Sequence, residues 1–588
     1  MRGIGDKTAA ELIKKYGSIE NLYKKLKGGD FKEPESLKKK LSEGKEQAAF
    51  SKQLATIVKN LKMDIDLEKA RWQKHLDKQS LERSFRELNF SSLIPRIAGI
   101  TDKKIKQEEL VLKESKAIPI SEEGSEKIQI AAWLLNSDLK EPAPEETYFS
   151  EFGAQPEDEK DWKRLYETLR SKLKDTGLTK VFTEIELPLI PILAEMKKNG
   201  IKIDQKAIKK LDKFAAKEIK KLETKIHKFA KAKFNINSTR QLSEILFERL
   251  KLAGKIRKTP KGKLSTRASE LEKLMEVHPI VPLILEYREL QKLKTTYIEP
   301  FPKLVGQDGR IHTSYIQTGT VTGRLASQNP NLQNIPIKTE LGREFRKVFI
   351  AEKGYKLLSL DYSQLELRIA AHIAKDEKMI DAFKKEIDIH AETAAEVFDV
   401  PLDKVSPEMR REAKALNFGI IYGMGPQGFA RSAGITQSEA KKFIERYFDE
   451  FPKIREYMDK MRSEAHDNGV VFTLLGRRRQ ISEIYSSIPE VIRQAERMAI
   501  NFPVQGLAAD IMKLAMIKIH EHIDRKYKTD EVKMLLQVHD ELVLEVKEEI
   551  TDKLVKELKK IMEEVYELDA PLVAEAKIGN NWNNMKYA

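Results

Sequence analysis

The chain has 588 residues, with 107 lysines and arginines against 92 aspartates and glutamates, and it contains no cysteine. This length suggests about four domains of roughly 150 residues each, and the net charge of +15 favours a polyanionic partner such as nucleic acid. The lack of cysteine excludes disulfides and thiolate metal sites. Because no apolar run is long enough for a membrane span or a secretory signal, we expect a soluble, cytoplasmic protein.

Residues 1–95 are rich in lysine and are predicted to be helical. Gly3, Gly5 and Lys7 lead into the first amphipathic helix. Glycines before a helix N-terminus can leave backbone N–H groups open to a phosphate. The pattern fits a phosphate-binding helix start, and it also fits a loop and helix that only pack.

The following segment, residues 96–184, contains one strongly apolar helical stretch, Ala131–Ser137. A polar, proline-containing stretch from Glu141 to Glu159 is predicted to be a loop. Between residues 96 and 180 we find no strand that carries an Asp-x-Glu pattern. A metal-dependent nuclease site is therefore not expected in this segment.

Long, charged, amphipathic helices are predicted over residues 185–300. They are interrupted at Phe234–Thr239 and at Lys258–Thr266, and the second interruption offers lysines and hydroxyls on a tip. Such a charge run is commonly a solvated face, and contact with a nucleic-acid backbone is the alternative.

Two apolar runs further along the chain each end in a carboxylate. Lys356–Leu360 leads into Asp361, and Met534–Val538 leads through His539 into Asp540. Both runs are predicted strands. A charge at a buried strand end is costly unless a cation lies beside it. Two such aspartates can form an oxygen site for hard divalent ions, and two Mg²⁺ ions about 3.5–4 Å apart are a common device for displacement at phosphorus.

A predicted helix between these strands carries a stripe of functional side chains. Arg410, Lys414, Phe418 and Tyr422 are spaced four apart and so share one helix face. The stripe runs from two cations to two aromatic rings, matching a nucleoside triphosphate with its polyanion at one end and its flat base at the other. Arginine and lysine bind phosphate oxygens, and aromatic rings stack on bases.

In these motifs the chain resembles family A DNA polymerases of the bacterial DNA polymerase I type. The segment from Asp361 to Arg368 resembles motif A of that family, the Arg410–Tyr422 stripe resembles motif B, and Val538–Glu541 resembles motif C. Further similar segments are Thr322–Leu325, Asn331–Pro336 and Asn501–Gly506. The close resemblance covers roughly residues 181–588.

The resemblance implies an α+β right-hand polymerase fold, with an antiparallel palm sheet and helical fingers and thumb. The implied domains are the helix-hairpin-helix end of a 5′-nuclease domain (1–95), a reduced, degenerate 3′→5′ exonuclease-like domain (96–184), a thumb (185–300), a first palm part (301–370), fingers (371–490) and a second palm part (491–588).

The resemblance also implies template-directed DNA synthesis from dNTPs on primer-template DNA, in replication and repair, by a monomer associated with the nucleoid. Two Mg²⁺ ions, for which Mn²⁺ can substitute, would be held by Asp361, Asp540 and the Tyr362 carbonyl. Glu541 would be auxiliary, because in a regular strand it points away from Asp540. Lys414 would also act as general acid. Neither proofreading nor 5′-nuclease activity is expected.

The remaining implied site residues contact the nucleotide or the DNA. The implied nucleotide-binding residues are Arg410, Lys414, Phe418, Tyr422, His390, Gln364 and Glu366, the last as a steric gate under the sugar. The implied DNA-binding residues are Arg324, Arg497, Asn501, Gln505 and His539 in the minor groove, and Gly3, Gly5 and Lys7 on the backbone. The minor groove offers N3 and O2 acceptors on every correct base pair.

Two other interpretations remain open from the residues alone. A single-subunit RNA polymerase shares the two aspartates and the Lys-x7-Tyr-Gly pattern, although Glu366 and Asn331–Pro336 favour DNA synthesis. A non-catalytic DNA-binding scaffold could keep the fold, but it would be expected to have lost Asp361, Asp540 or Lys414.

Overall fold

The computed structural model describes residues 6–28, 31, 33–46, 48, 52, 120–252, 264–336 and 339–588. The chain forms two compact units, Met1–Asp77 and Lys78–Ala588. In the described part of the chain, no helix is both long and apolar enough to cross a membrane.

The N-terminal unit contains three short helices. They are α1 (Asp6–Tyr16), α2 (Ile19–Lys27) and α3 (Glu35–Glu43). Ser18 caps α2 by accepting a hydrogen bond from the Asn21 N–H. Leu12, Leu22 and Phe31 are buried in a small shared core. The predicted phosphate contacts of Gly3 and Gly5, and the side chain of Lys7, lie outside the described residues.

The second unit begins with helices. They are α4 (Glu122–Leu135), α5 (Pro144–Phe152), α6 (Glu159–Asp175) and, after a π-helical turn (Val181–Glu186), α7 (Leu187–Asn199). We call residues 120–199 the helical segment. Between residues 120 and 180 the structure contains no strand. The predicted loop from Glu141 to Glu159 is wrong in part, because α5 forms within it with Pro144 in its first turn, where the missing N–H costs nothing.

A mainly helical region follows. Its elements are β1 (Ile201–Ile203), α8 (Gln205–Ala230), α9 (Thr239–Ser243) with a π-helical turn (Glu244–Arg249), α10 (Ala268–Leu271) with a 3₁₀ turn (Glu272–Leu274), α11 (Ile280–Leu293) with a π-helical turn (Lys294–Ile298), and α12 (Phe301–Leu304). Apolar residues three and four apart make α8 amphipathic, and it packs along α11. Residues 258–263 of the predicted lysine-rich tip lie outside the described residues.

The next stretch holds the first strands of the central region. They are β2 (Arg310–Ile311), β3 (Ser314–Ile316), β4 (Ala326–Gln328), then α13 (Glu340–Arg346), β5 (Phe349–Ile350) and β6 (Tyr355–Tyr362). Strand β1 pairs with both β2 and β5. Residues 201–203, which the predicted domain limits assign to the thumb, therefore belong to a sheet built with residues 310–350.

Helices dominate residues 365–485. They are α14 (Leu365–Ala374), α15 (Glu377–Lys384), α16 (Ile389–Phe398), a 3₁₀ turn (Leu402–Lys404), α17 (Pro407–Ile421), α18 (Pro426–Ala433), α19 (Gln437–Glu450) and α20 (Pro452–Asn468), followed by the hairpin β7 (Val470–Phe472) and β8 (Arg478–Gln480) and a 3₁₀ turn (Ser482–Tyr485). The hairpin is the exception to an otherwise helical region.

The C-terminal part completes the main sheet. Its elements are α21 (Pro489–Lys526), β9 (Val532–Val538), β10 (Glu541–Lys547), a 3₁₀ turn (Glu548–Ile550), α22 (Thr551–Glu564), β11 (Ala574–Gly579) and β12 (Met585–Tyr587). The antiparallel sheet has the order β12-β11-β6-β10-β9. Buried residues of β6, β10 and α21 share one large core. The expected α+β architecture is confirmed.

Candidate active site

The two predicted aspartates meet at the end of the central strands. Asp361 is the penultimate residue of β6, and Asp540 lies in the two-residue turn between β9 and β10. The Tyr362 N–H donates to the Asp540 carbonyl at 3.2 Å, which joins the two strand ends directly. His539, the other turn residue, has a φ of +55°. Both strands form as predicted, and the sheet brings their carboxylates together.

The charges of this pair are poorly compensated by the protein. Burial, together with Glu541 and Asp540, raises the pKa of Asp361 to about 7. Burial also raises the pKa of Asp540 to about 6, although Arg324 opposes the increase. A divalent cation would relieve this cost, so the donor set fits a hard metal ion. In the described ranges no three His, Asp or Glu side chains form a metal cage. Carbonyl, water or substrate oxygens would have to complete the shell.

Glu541 lies on the same face of the sheet as Asp361. Strand alternation had predicted that it would point away from the site. The two residues are direct partners across β6 and β10, and such partners project from the same face. The argument from strand alternation is wrong because Asp540 lies in the turn, where the alternation has not begun. Glu541 Oε1 accepts hydrogen bonds from Ser359 Oγ at 2.6 Å and from Trp582 Nε1 at 3.0 Å.

The sequence analysis did not identify Arg346 and Trp582. The guanidinium of Arg346 lies 4.0 Å from the ring centre of Trp582. Burial lowers the pKa of Arg346, while Glu541 and Asp361 oppose this change, so Arg346 contributes positive charge beside both carboxylates. No local sequence pattern indicates this contact, because Arg346 ends α13 and Trp582 lies in the distant loop between β11 and β12.

The cationic and aromatic stripe lies on α17, as predicted. Arg410 and Lys414 are exposed, and Phe418 is half-buried. Arg410 Nε donates to Asp388 Oδ2 at 2.6 Å. Tyr422 is the residue that ends the helix. The stripe thus presents two cations to solvent at one end and has two partly buried aromatic rings at the other.

His390 is less accessible than a phosphate ligand was expected to be. It is only 2% exposed, and its Nδ1 accepts a hydrogen bond from Asn417 Nδ2 at 3.1 Å. Burial, reinforced by Lys414 and Arg410, lowers the pKa of His390 to about 4 despite Asp388. The ring is therefore neutral near pH 7, and could offer a phosphate an N–H donor but no positive charge.

Glu366 is the centre of a buried hydrogen-bonded group. It is 5% exposed, it accepts from Arg324 Nη2 at 2.6 Å, and it accepts from Tyr422 Oη at 2.5 Å. Burial and the Glu366 carboxylate raise the pKa of Tyr422. Gln364 precedes the helix with a φ of +52°. Arg324, predicted as a minor-groove reader, is thus tied to the predicted sugar gate in this structure.

Three other predicted DNA contacts share one face of α21. Arg497, Asn501 and Gln505 are four residues apart on this helix. Asn501 Nδ2 donates to the Tyr422 carbonyl at 3.5 Å, and its buried Oδ1 has no hydrogen-bond partner among the described residues. The side chain of Arg497 lies against Gly423, where an added Cβ would be 2.8 Å from its Cγ. Gln505 is half-buried, and His539, on the hairpin, is exposed.

Comparisons with known proteins identify the family. DNA polymerase family A matches residues 205–584, and the C-terminal SAM fold of the 5′-3′ exonuclease family matches residues 1–78. DNA polymerase I of Caldicellulosiruptor bescii is 40% identical over 668 aligned positions, which include all of this chain and 77% of the relative. The alignment is longer than the chain, so the relative contains segments without a counterpart here.

Two further comparisons agree. A thermostable DNA polymerase I of Thermus thermophilus is 37% identical over the whole chain and 76% of the relative. The structure of the POL domain of Pol1 from M. smegmatis, in complex with DNA primer-template and dNTP, superimposes with a TM-score of 0.74 at 35% identity, over 78% of this chain and 81% of that one. Neither an RNA polymerase nor a non-catalytic scaffold is favoured. The chain belongs to DNA polymerase family A and is a DNA-directed DNA polymerase.

Proposed function

We propose that Asp361 and Asp540, with the Tyr362 carbonyl, hold two Mg²⁺ ions at the end of β6 and the β9–β10 turn, and that Mn²⁺ can replace them. When bound, these ions would lower the pKa of the primer 3′-hydroxyl and neutralise the triphosphate and the leaving pyrophosphate. The observation that carries the proposal is the adjacency of two half-buried carboxylates with raised pKa values. Arg346 offsets part of the negative charge of Asp361, whereas Glu541 adds to that charge.

The α17 stripe binds the incoming dNTP in this proposal. Exposed Arg410 and Lys414 hold the phosphates, arginine by a forked contact and lysine as a point charge. Lys414 also donates a proton to the departing pyrophosphate. His390 adds a neutral N–H donor, because its low pKa keeps it uncharged. Phe418 lies 5.8 Å from the His390 ring, centre to centre, and packs at the sugar end.

Sugar selection follows from the group around Glu366. Arg324 and Tyr422 occupy both oxygens of this carboxylate and hold it in one position. A ribose 2′-hydroxyl would meet a fixed side chain that cannot rotate away, so dNTPs are preferred. Gln364, at the start of the same helix, lines the nucleotide site beside the gate.

The DNA substrate is a primer-template duplex bound through its minor groove. Arg497, Asn501 and Gln505 lie on one face of α21, and the exposed His539 lies beside Asp540. Donors of this kind can test the shape of a base pair through its N3 and O2 acceptors without reading sequence. Among the described residues, Asn501 Oδ1 has no hydrogen-bond partner, so this side chain can accept a further hydrogen bond.

The domain limits given above are part of the proposal, with β1 counted in the palm. Residues 1–95 would grip duplex DNA without cleaving it. Over residues 120–180 the helical segment has no strand to carry the acidic residues of a proofreading site. The enzyme would act as a monomer in gap filling during replication and repair.

The test is primer extension with Asp361→Asn and Asp540→Asn. Each variant should bind a fluorescent primer-template with normal affinity and lose most extension in Mg²⁺. Asp403→Asn, at an exposed aspartate on the 3₁₀ turn after α16, is the matched control and should extend normally. Near-normal extension by both active-site variants would refute the assignment.

A further inference from the structure

The loop between β3 and β4 is held from outside by the helical segment. Trp133 Nε1 donates to the Thr320 carbonyl at 3.0 Å. Gln317 Nε2 donates to the Glu186 carbonyl at 2.9 Å and to its carboxylate at 2.6 Å. The Glu141 N–H donates to the Thr318 carbonyl at 3.4 Å. Three separate parts of the helical segment thus bind residues 317, 318 and 320 of one loop.

A second contact fixes the other side of the loop. Gly323 has a φ of +90°, and a Cβ added there would lie 2.8 Å from Nε of Arg477. Arg477 is itself fully buried and is held by Glu186 and Asp510, both at 2.5 Å. The loop backbone therefore lies directly against a guanidinium whose position is fixed by two carboxylates.

Near its end the loop carries Arg324, the residue that holds the proposed sugar gate. Thr320 Oγ1 donates to the Arg324 carbonyl at 2.7 Å, and Arg324 Nη2 donates to Glu366 at 2.6 Å. A continuous path of hydrogen bonds and backbone runs from the Trp133 indole through Thr320 and Arg324 to Glu366. Each step in it is a direct contact between described residues.

We infer that Trp133 is a positioning residue for the polymerase site: through Thr320 it fixes Arg324, and through Arg324 it fixes the Glu366 carboxylate that excludes ribonucleotides. The helical segment, most of which lies in the region implied to be a degenerate exonuclease-like domain, therefore contributes to substrate selection in this inference. The inference rests on the proposed role of Glu366 as the sugar gate.

The contacts of Trp133 exceed what packing alone requires. Its ring is 1% exposed and lies within 5.2 Å of the Arg477 guanidinium and 5.6 Å of the Lys513 ammonium. Its N–H also reaches out of the helical segment to the loop. Trp162, in the same hydrophobic core, is 5% exposed, and its Nε1 has no hydrogen-bond partner among the residues described.

Trp133 and Trp162 allow a matched experiment. Trp133→Phe keeps an aromatic ring beside the two cations but loses the N–H donor and some buried volume, whereas Trp162→Phe loses the same volume where no hydrogen bond is lost. In the full chain, kcat/KM is measured for dNTP and the matching NTP on one primer-template, with thermal midpoints recorded in parallel. Trp133→Phe should lower the dNTP preference about two- to tenfold, the effect of losing one hydrogen bond of ordinary strength. Trp162→Phe should leave it unchanged.

The pathway is tested by combining Trp133→Phe with Arg324→Ala. If Trp133 acts through Arg324, the double variant should show the selectivity of Arg324→Ala alone. Additive losses, an unchanged preference in Trp133→Phe, or equal losses in both tryptophan variants would each overturn the inference. Glu366→Ala distinguishes a failure of the gate from a failure of the positioning role. If Glu366→Ala still excludes ribonucleotides, the proposed gate itself is wrong. If it admits them and Trp133→Phe does not, only the positioning role of Trp133 fails.

Discussion

Replacing Asp361 with asparagine should stabilise the metal-free protein, and the gain should grow with pH. The usual carboxyl pKa of 3.8 rises in the fold to about 7, chiefly through burial and then through Glu541 and Asp540. Between these two values the unfolded chain is ionised while the folded protein keeps a proton, so stability falls as pH rises and is lowest above the folded pKa. Since each tenfold change in ionisation constant is worth about 1.36 kcal/mol, the cost approaches about 4 kcal/mol at pH 8 and about 1.5 kcal/mol at pH 5.

The assay is urea unfolding of the wild-type and Asp361→Asn chains in chelator at both pH values. Taking the difference between the two proteins cancels the titration of groups that do not interact with Asp361, so the measured difference reports Asp361 together with its neighbours Glu541 and Asp540. Asparagine should raise the free energy of unfolding by about 2–4 kcal/mol at pH 8 and by less at pH 5. Asp403→Asn, at an exposed position, should show no such dependence.

Magnesium should narrow the stability difference between the two proteins. Bound cation supplies the charge that the protein lacks, so it should stabilise wild type by about 1.4 kcal/mol at ten times its dissociation constant and the variant by less. If Asp361→Asn were no more stable than wild type at pH 8 without metal, the two carboxylates would not be in electrostatic conflict, and the argument for a cation site would fail.

Four further outcomes are expected. Glu366→Ala should admit ribonucleotides because it removes a fixed group under the sugar, and Phe418→Tyr should admit dideoxynucleotides because it adds a hydrogen bond worth about 0.5–1.5 kcal/mol. Measuring kcat/KM for each substrate class tests both variants. If Glu366→Ala still excluded ribonucleotides, the gate would have to be assigned to Tyr422. A labelled primer with a 3′ mismatch should keep its terminal nucleotide in Mg²⁺, and trimming of that nucleotide would reveal an unrecognised nuclease site. Deleting residues 1–77 should reduce the salt dependence of duplex binding by about 0.9 in log–log slope per lost phosphate contact, whereas an unchanged slope would mean that this unit contacts no phosphate.

Patterns within single elements were predictable because they depend on local geometry. The four-residue spacing from Arg410 to Phe418 places these side chains on one face wherever α17 packs. The apolar runs before Asp361 and Asp540 indicate strands because their length and β-branched or leucine content suit a buried sheet. The helix α5 was missed because Pro144 was interpreted as a loop residue, although it is well tolerated in the first turn of a helix.

Contacts between distant segments were not predictable in the same way. The position of Glu541 beside Asp361 depends on the register between β6 and β10, and a shift of one residue would turn its side chain to the other face. The burial of His390 depends on α16 packing against α17, and no feature of its own segment indicates this.

The sequence by itself determined which chemical groups are candidates for the active site: two strand-end carboxylates, two cations and two aromatic rings on a helix, and a glutamate after the first strand. Tertiary structure alone decided how they act together. It joined Glu366 to Arg324 and Tyr422, 42 and 56 residues away, and connected Trp133 to Thr320 across 187 residues. The physical reason is that helical and strand periodicity are properties of neighbouring residues, whereas the charge, burial and hydrogen bonding of a site are set by segments that meet only when the core closes.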